Sequence, residues 1–161
     1  SDVPFKSSMI SNGYLFDETM VKKASELWKL KRIQITLDGT EEVYNRTKAY
    51  PGIKGSAYQR VMGNIKLLLD GGIAVSVRTN LSYANASDLE TLFDVLKEKF
   101  EKYENFYLYS HTLFDGEGFE PVRYKGDEEE KLIDIQTGFE RKIGQWNKGK
   151  QNNCRGYEDG H

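Results

Sequence analysis

The sequence predicts an α/β fold, a fragment of a partial (βα) barrel with about four parallel strands and helices on the outer face. Three observations lead there. Four short segments rich in β-branched and aromatic residues alternate with four longer stretches of helical periodicity, the order of a sheet built from βα units. Two of the strand segments alternate apolar and polar residues, so one face needs a cover and the other stays polar. Three of them close on polar sequences, Ser11-Asn12-Gly13, Thr36-Leu37-Asp38-Gly39 and Val77-Arg78-Thr79-Asn80, each followed by a helical pattern.

The strands are expected near residues 4–10, 32–37, 73–79 and 105–110. The first helix, near 17–29, has Asp17 as its N-cap and Val21, Ala24, Leu27 and Trp28 on one face. The second opens with Ser56-x-x-Gln59, a capping-box spacing in which hydroxyl and amide each satisfy a free backbone N–H. Tyr58, Val61, Met62, Ile65, Leu68 and Leu69 then keep helical spacing until Gly71-Gly72 supplies a left-handed stop. The third repeats the device with Ser87-x-x-Glu90 and a stripe of Leu89, Leu92, Phe93, Leu96, Phe100 and Tyr103. Phe114 to Gly126, without period and rich in glycine, reads as a long loop. A fourth helix begins at Asp127-Glu128-Glu129-Glu130, where acidic groups favour the positive end of the helix dipole, and aligns Leu132, Ile135, Phe139, Ile143 and Trp146. Residues 1–148 thus form one domain, and 149–161 a polar, glycine-bearing tail.

Composition narrows the function classes. With 161 residues, 38% of them hydrophobic, the chain can bury one sizeable core and needs no second domain. A net charge of -2 without a clustered Lys/Arg face gives no electrostatic footprint for nucleic acid. No apolar run approaches the roughly 20 residues that cross a bilayer, so no membrane partner is expected. Ser1-Asp2-Val3-Pro4 lacks the features of a signal peptide, and a single cysteine, Cys154, excludes an internal disulfide. A cytoplasmic location is the expectation. No Ser/His/Asp order, Walker loop or zinc spacing is present, and the two histidines, His111 and His161, are far apart in sequence. Arg46 and Lys48 read as loop charges after Asp38.

The strand faces carry the chemistry. Ile33, Ile35 and Leu37 point one way, and Gln34, Thr36 and Asp38 the other. Ile73, Val75 and Val77 likewise oppose Ala74, Ser76, Arg78 and Asn80. A polar face opposite the helices either lines a wet lumen or looks onto solvent in an open sheet, and periodicity alone leaves both open. Parallel α/β folds bind ligands at the carboxyl ends of their strands, where Asn12, Asp38 and Asn80 fall. An aspartate there accepts hydrogen bonds from hydroxyls, and an arginine on the same face holds a carboxylate, the groups of a ribose and an amino acid. Each also has a plainer reading, since Asn12-Gly13 and Asp38-Gly39 are common turn pairs.

In these segments the chain resembles strands three to six of the partial barrel of radical S-adenosylmethionine (SAM) enzymes. The likeness is greatest to the branch with a C-terminal SPASM extension, which includes anaerobic sulfatase-maturating enzymes and peptide maturases. Ser11-Asn12-Gly13-Tyr14-Leu15 is similar to the family's Thr-Asn-Gly segment. Thr36-Leu37-Asp38-Gly39-Thr40-Glu41-Glu42-Val43-Tyr44 resembles its Ser-Leu-Asp-Gly-Pro-x-x-x-His segment, with Thr36 for Ser, Thr40 for Pro and Tyr44 for His. Gly71-Gly72-Ile73 through Asn80-Leu81-Ser82, then Asn85 and Leu89, follows the family's fifth strand and next helix.

The resemblance implies a SAM site lined by Asn12, Thr36, Asp38, Arg78 and Asn80. It implies a [4Fe–4S] cluster held by Cys-x-x-x-Cys-x-x-Cys, a 5′-deoxyadenosyl radical made by reductive cleavage of SAM, a protein or peptide substrate, and an electron donor. One cysteine cannot supply three thiolates, and the Gly-Gly-Glu-type segment that grips the SAM amine is missing. The expectation is therefore part of a larger enzyme that binds no cofactor by itself and is inactive alone. Asn153-Cys154-Arg155-Gly156 lies where SPASM proteins place the first cysteine of an auxiliary cluster, so Cys154 is either a metal ligand or an inert thiol. The competing reading is a non-catalytic α/β module that binds a ligand or a partner.

Overall fold

A computed structural model describes residues 7–48, 51–52, 54–114 and 123–148. Four strands form one sheet in chain order: β1 (Ser7–Ser11), β2 (Leu30–Thr36), β3 (Ala74–Leu81) and β4 (Phe106–Thr112). Every neighbouring pair is parallel. Parallel neighbours need a long crossover, and helices supply it: α1 (Glu18–Glu26), α2 (Glu41–Thr47), α3 (Ala57–Asp70) and α4 (Ala86–Phe100), with α5 (Glu128–Asn147) after β4. The α/β expectation holds, and each strand lies within a few residues of its expected place. Residues 4–6 of the first expected strand and the tail from 149 onward, with Cys154, lie outside the described residues.

Alternation decides which face is covered. Ile33, Ile35, Leu37, Val75 and Val77 have no exposed surface, and Ile73 and Leu108 nearly none. α1 packs against β2, α3 and α4 against β3, and α5 against β4. The opposite face, with Gln34, Thr36, Asp38, Arg78 and Asn80, stays half-exposed. Ser76 belongs to that face by register yet is buried. Its small side chain explains this: Tyr109 on β4 donates its hydroxyl hydrogen to Oε1 of Gln34 on β2, so the two long side chains meet across β3.

Helix ends follow the sequence in some places and not in others. Asp17 caps α1 by accepting from the N–H of Met20 at 2.8 Å. The α3 terminus closes as a Schellman motif. Gly72, at φ +79°, donates to Leu69 O at 3.0 Å, and Ile73 donates to Leu68 O at 3.0 Å. At the α3 start Ser56 Oγ accepts from Gln59 N, but the Gln59 amide turns away to Glu41, so only half of the capping box forms.

Three expectations are corrected. α1 stops at Glu26, and Leu27 and Trp28 are exposed rather than on a buried face, because Lys29 at φ +52° turns the chain into β2. Ser87 is the second residue of α4 and caps nothing, since Asn85 is the N-cap and its side chain is spent on the preceding loop. Arg46 is not in a loop but in α2, a seven-residue helix whose Tyr44 is buried edge-on against Tyr58. Seven residues are too few to display a helical period, which is why the sequence hides it.

Candidate functional site

Parallel register sorts the open-face side chains into rows. Thr36, Arg78 and Tyr109 are direct partners across β2, β3 and β4. Asn80 pairs with His111 in the row nearer the strand ends, and Gln34, Ser76 and Tyr107 form the row below. Asp38 completes the upper row. The Leu37 N–H bonds to Arg78 O at 2.9 Å, extending the ladder past β2, and Asp38 Oδ1 accepts from Asn80 N at 2.8 Å. Nδ2 of Asn80 adds contacts of 3.1 and 3.2 Å to the two carboxylate oxygens.

The loops behind this edge are tied down. Asp88 of α4 accepts from Thr40 N at 2.8 Å and from Thr40 Oγ1 at 2.6 Å, which fixes the turn after Asp38. Gly39 packs so closely there that a Cβ would lie 2.6 Å from Val43 Cγ1. Asn85 donates to Asn80 O and accepts from Ser82 N, bracing the turn after β3. Asn64, buried on α3, donates to the carbonyls of Gly13 and Tyr14 at 2.9 and 3.0 Å and so holds the turn after β1. Three strand ends are thus fixed by side chains from helices distant in sequence.

The sequence-derived residues are distributed as follows. Asp38 and Asn80 are hydrogen-bonded, and Thr36 and Arg78 are register partners one row below. Asn12 lies one residue beyond the Ser11–Ile35 pair at the same sheet edge. It is exposed, and its Oδ1 accepts from Tyr14 N at 3.1 Å, so it serves its own turn. Cys154 lies outside the described residues. His111 and Tyr109 share the rows of Asn80 and Arg78, a placement that only the β3–β4 register reveals.

Arg78 is the unusual member of the group. Its Nε is buried and makes no hydrogen bond, and no carboxylate among the described residues forms an ion pair with it. A desolvated guanidinium N–H without an acceptor is costly, and a bound anion would relieve that cost. Asp38 keeps acceptor capacity as well, since Asn80 engages mainly one of its oxygens. A cation and a hydroxyl acceptor therefore stand on one face at the carboxyl end of a parallel sheet. A concavity of about 640 Å³ on the helical flank, lined by Phe93, Lys97, Glu101, Lys142 and Trp146, lies on the other side of the sheet from these groups. Among the described residues no cluster of three or more His, Cys, Asp or Glu side chains is placed to hold a metal ion, and no helix is long and apolar enough to cross a membrane.

The sequence matches no family model and no curated protein. The fold does match solved structures. One is anSMEcpe, a radical SAM anaerobic sulfatase-maturating enzyme, with bound AdoMet and a Kp18Cys peptide, at a TM-score of 0.57 and 18% identity over 87% of this chain. Another is SuiB of Streptococcus suis bound to S-adenosylmethionine, at a TM-score of 0.53 and 12% identity over 84% of this chain. The chain spans 38% of the first structure and 30% of the second. At these identities the likeness is one of fold: four parallel strands with their helices, as in part of those proteins' barrels.

Proposed function

We propose that the chain is part of a radical SAM enzyme that modifies a protein or peptide substrate, and that the Asp38–Asn80 and Thr36–Arg78 rows line its SAM site. The observation that carries this is the buried, unpartnered Nε of Arg78 one row below a hydrogen-bonded Asp38, at the strand ends of a fold shared with SAM-bound structures. Peptide-bound anSMEcpe structures support a peptide substrate.

The residues present fit SAM. Arg78 and Thr36 would hold its carboxylate, and Asp38 would accept a ribose hydroxyl while Asn80 keeps that carboxylate oriented. Asn12 would close the β1 side. Bound SAM supplies, on reductive cleavage, the radical that removes hydrogen from a substrate. The residues present do not fit a [4Fe–4S] cluster, which needs three thiolates where this sequence has one cysteine, so no step is drawn through a cluster. Cys154 would serve as a ligand only together with cysteines from a SPASM-type extension. The chain alone is then inactive, and an electron donor acts only on the larger enzyme.

Calorimetry with SAM tests the site. The isolated chain is expected to bind with a Kd of about 1 mM or weaker, because half of the contacts are absent. In a longer protein containing the cluster motif, Arg78→Ala is expected to weaken SAM binding about 10- to 100-fold, consistent with loss of a charge-assisted hydrogen bond. Micromolar binding by the isolated chain, or unchanged binding by the variant, would overturn the assignment.

A further inference from the structure

The two edges of the sheet are treated differently by the chain. The bonds Val75 N to Asn105 O and Leu113 N to Leu81 O show that the odd-numbered residues of β4 face β3. The peptide groups of Phe106, Leu108, Ser110 and Thr112 therefore point outward. That edge is covered, since Asn147 at the end of α5 donates its side-chain N–H to Leu108 O at 2.9 Å and α5 packs along β4. A helix laid over an edge strand is a standard protection against unwanted pairing.

The β1 edge has no such cover. Leu37 N bonds to Arg78 O, so the odd residues of β2 face β3 and the even ones face β1. Within the register Met9↔Ile33 and Ile10↔Gln34, the peptide groups of Ser8 and Ile10 then point away from the sheet. Both faces of the strand carry exposed apolar side chains. Met9, level with fully buried Ile33 on the helical side, is 37% exposed, and Ile10 on the open side is 64% exposed. Trp28, 41% exposed, is held beside the strand by a bond from Ser7 Oγ to its carbonyl at 2.8 Å.

We infer that the β1 edge is the junction with a further βα unit of a longer polypeptide, its strand parallel to β1 and its helix over Met9 and Trp28. The solved structures that share this fold are more than twice as long as the part matched, so such a unit has chain to draw on. An all-parallel sheet with helices on one face is extended by the same unit, which covers free peptide groups and bare apolar surface together. This rests on the reading of the chain as part of a larger enzyme and names the surface through which the rest attaches.

Amide hydrogen exchange tests it, comparing this chain with the chain extended through the sequence encoded directly upstream of Ser1. Extension is expected to slow exchange at Ser8 and Ile10 about 100-fold or more, while the outward amides of β4 change little. With Trp146→Phe as background, Trp28 emission is expected to shift to the blue. Ile10→Pro removes only an outward N–H, so this chain should keep its fold while the extended chain loses its gain in protection. Fast exchange at Ser8 and Ile10 in the extended chain overturns the inference. So does protection appearing in this chain alone together with a dimer by light scattering. SAM binding is read separately: an extended chain that covers the edge but binds no SAM refutes the proposed function and leaves the junction standing.

Discussion

Replacing Gly39 with alanine probes the loop that presents Asp38. The added Cβ would lie 2.6 Å from Val43 Cγ1, 2.7 Å from Val43 Cβ and 2.7 Å from Asp88 Oδ2. Ordinary carbon contacts are about 3.5–4.0 Å, so each must open by about 1 Å. Val43 cannot rotate away, because a β-branched side chain on a helix is stiff at χ1. The loop must lift off α4, which strains or breaks the two Thr40–Asp88 hydrogen bonds. Overpacking costs about 1–3 kcal/mol and a lost bond to a charged group about 1.5–3 kcal/mol, so a total of about 2–5 kcal/mol is expected. For a chain of this size, each kcal/mol lowers Tm by about 2–4 °C, so the melting point should fall by about 5–15 °C. Gly63→Ala is the control. Gly63 lies exposed within α3 with nothing within 4 Å of a Cβ, and alanine there should stabilise by about 0.5–1 kcal/mol. Thermal and urea melts by circular dichroism decide. A Gly39→Ala protein melting within about 1 °C of the parent, or both variants shifting together, would refute the steric account of this loop.

Asn64→Ala should destabilise by about 2–3 kcal/mol in urea melts, because two carbonyls of the turn after β1 lose their shared donor in a buried setting. Burial, with the charges of Glu41 and Asp88, pushes the Tyr58 hydroxyl up to about 12. The folded protein then holds this proton more tightly than the unfolded chain, so the contribution is intact below about pH 10 and declines as pH rises toward 12. Urea midpoints between pH 9 and 11.5 should fall less steeply for Tyr58→Phe; equal slopes would contradict it. In a longer protein of the SPASM type, Cys154→Ala should lower anaerobic iron content by about one cluster, and an unchanged count would reduce Cys154 to an ordinary thiol.

Much of the fold is legible in local pattern. Alternation over Ile33 to Asp38 and Ile73 to Asn80 sets the buried and open faces, because successive side chains of a strand point to opposite sides whatever its neighbours are. Asp17 and Gly71-Gly72 mark helix ends through contacts made within one turn. The polar residues at the strand ends are likewise visible, since their order needs no knowledge of register. What tertiary structure decides is whatever depends on segments far apart. Ser87 loses its expected capping role to Asn85, because the loop from Asn80 to Ser82 claims that side chain. Asp88 reaches Thr40 across 48 residues, and Asn147 reaches Leu108 across 39. The partnership of His111 with Asn80, the unpaired Nε of Arg78 and the contrast between a covered β4 and an open β1 arise in the same way. A sequence records which groups a residue carries and which neighbours lie within a turn, whereas register and edge coverage are set by packing between elements whose spacing along the chain bears no relation to their distance in space.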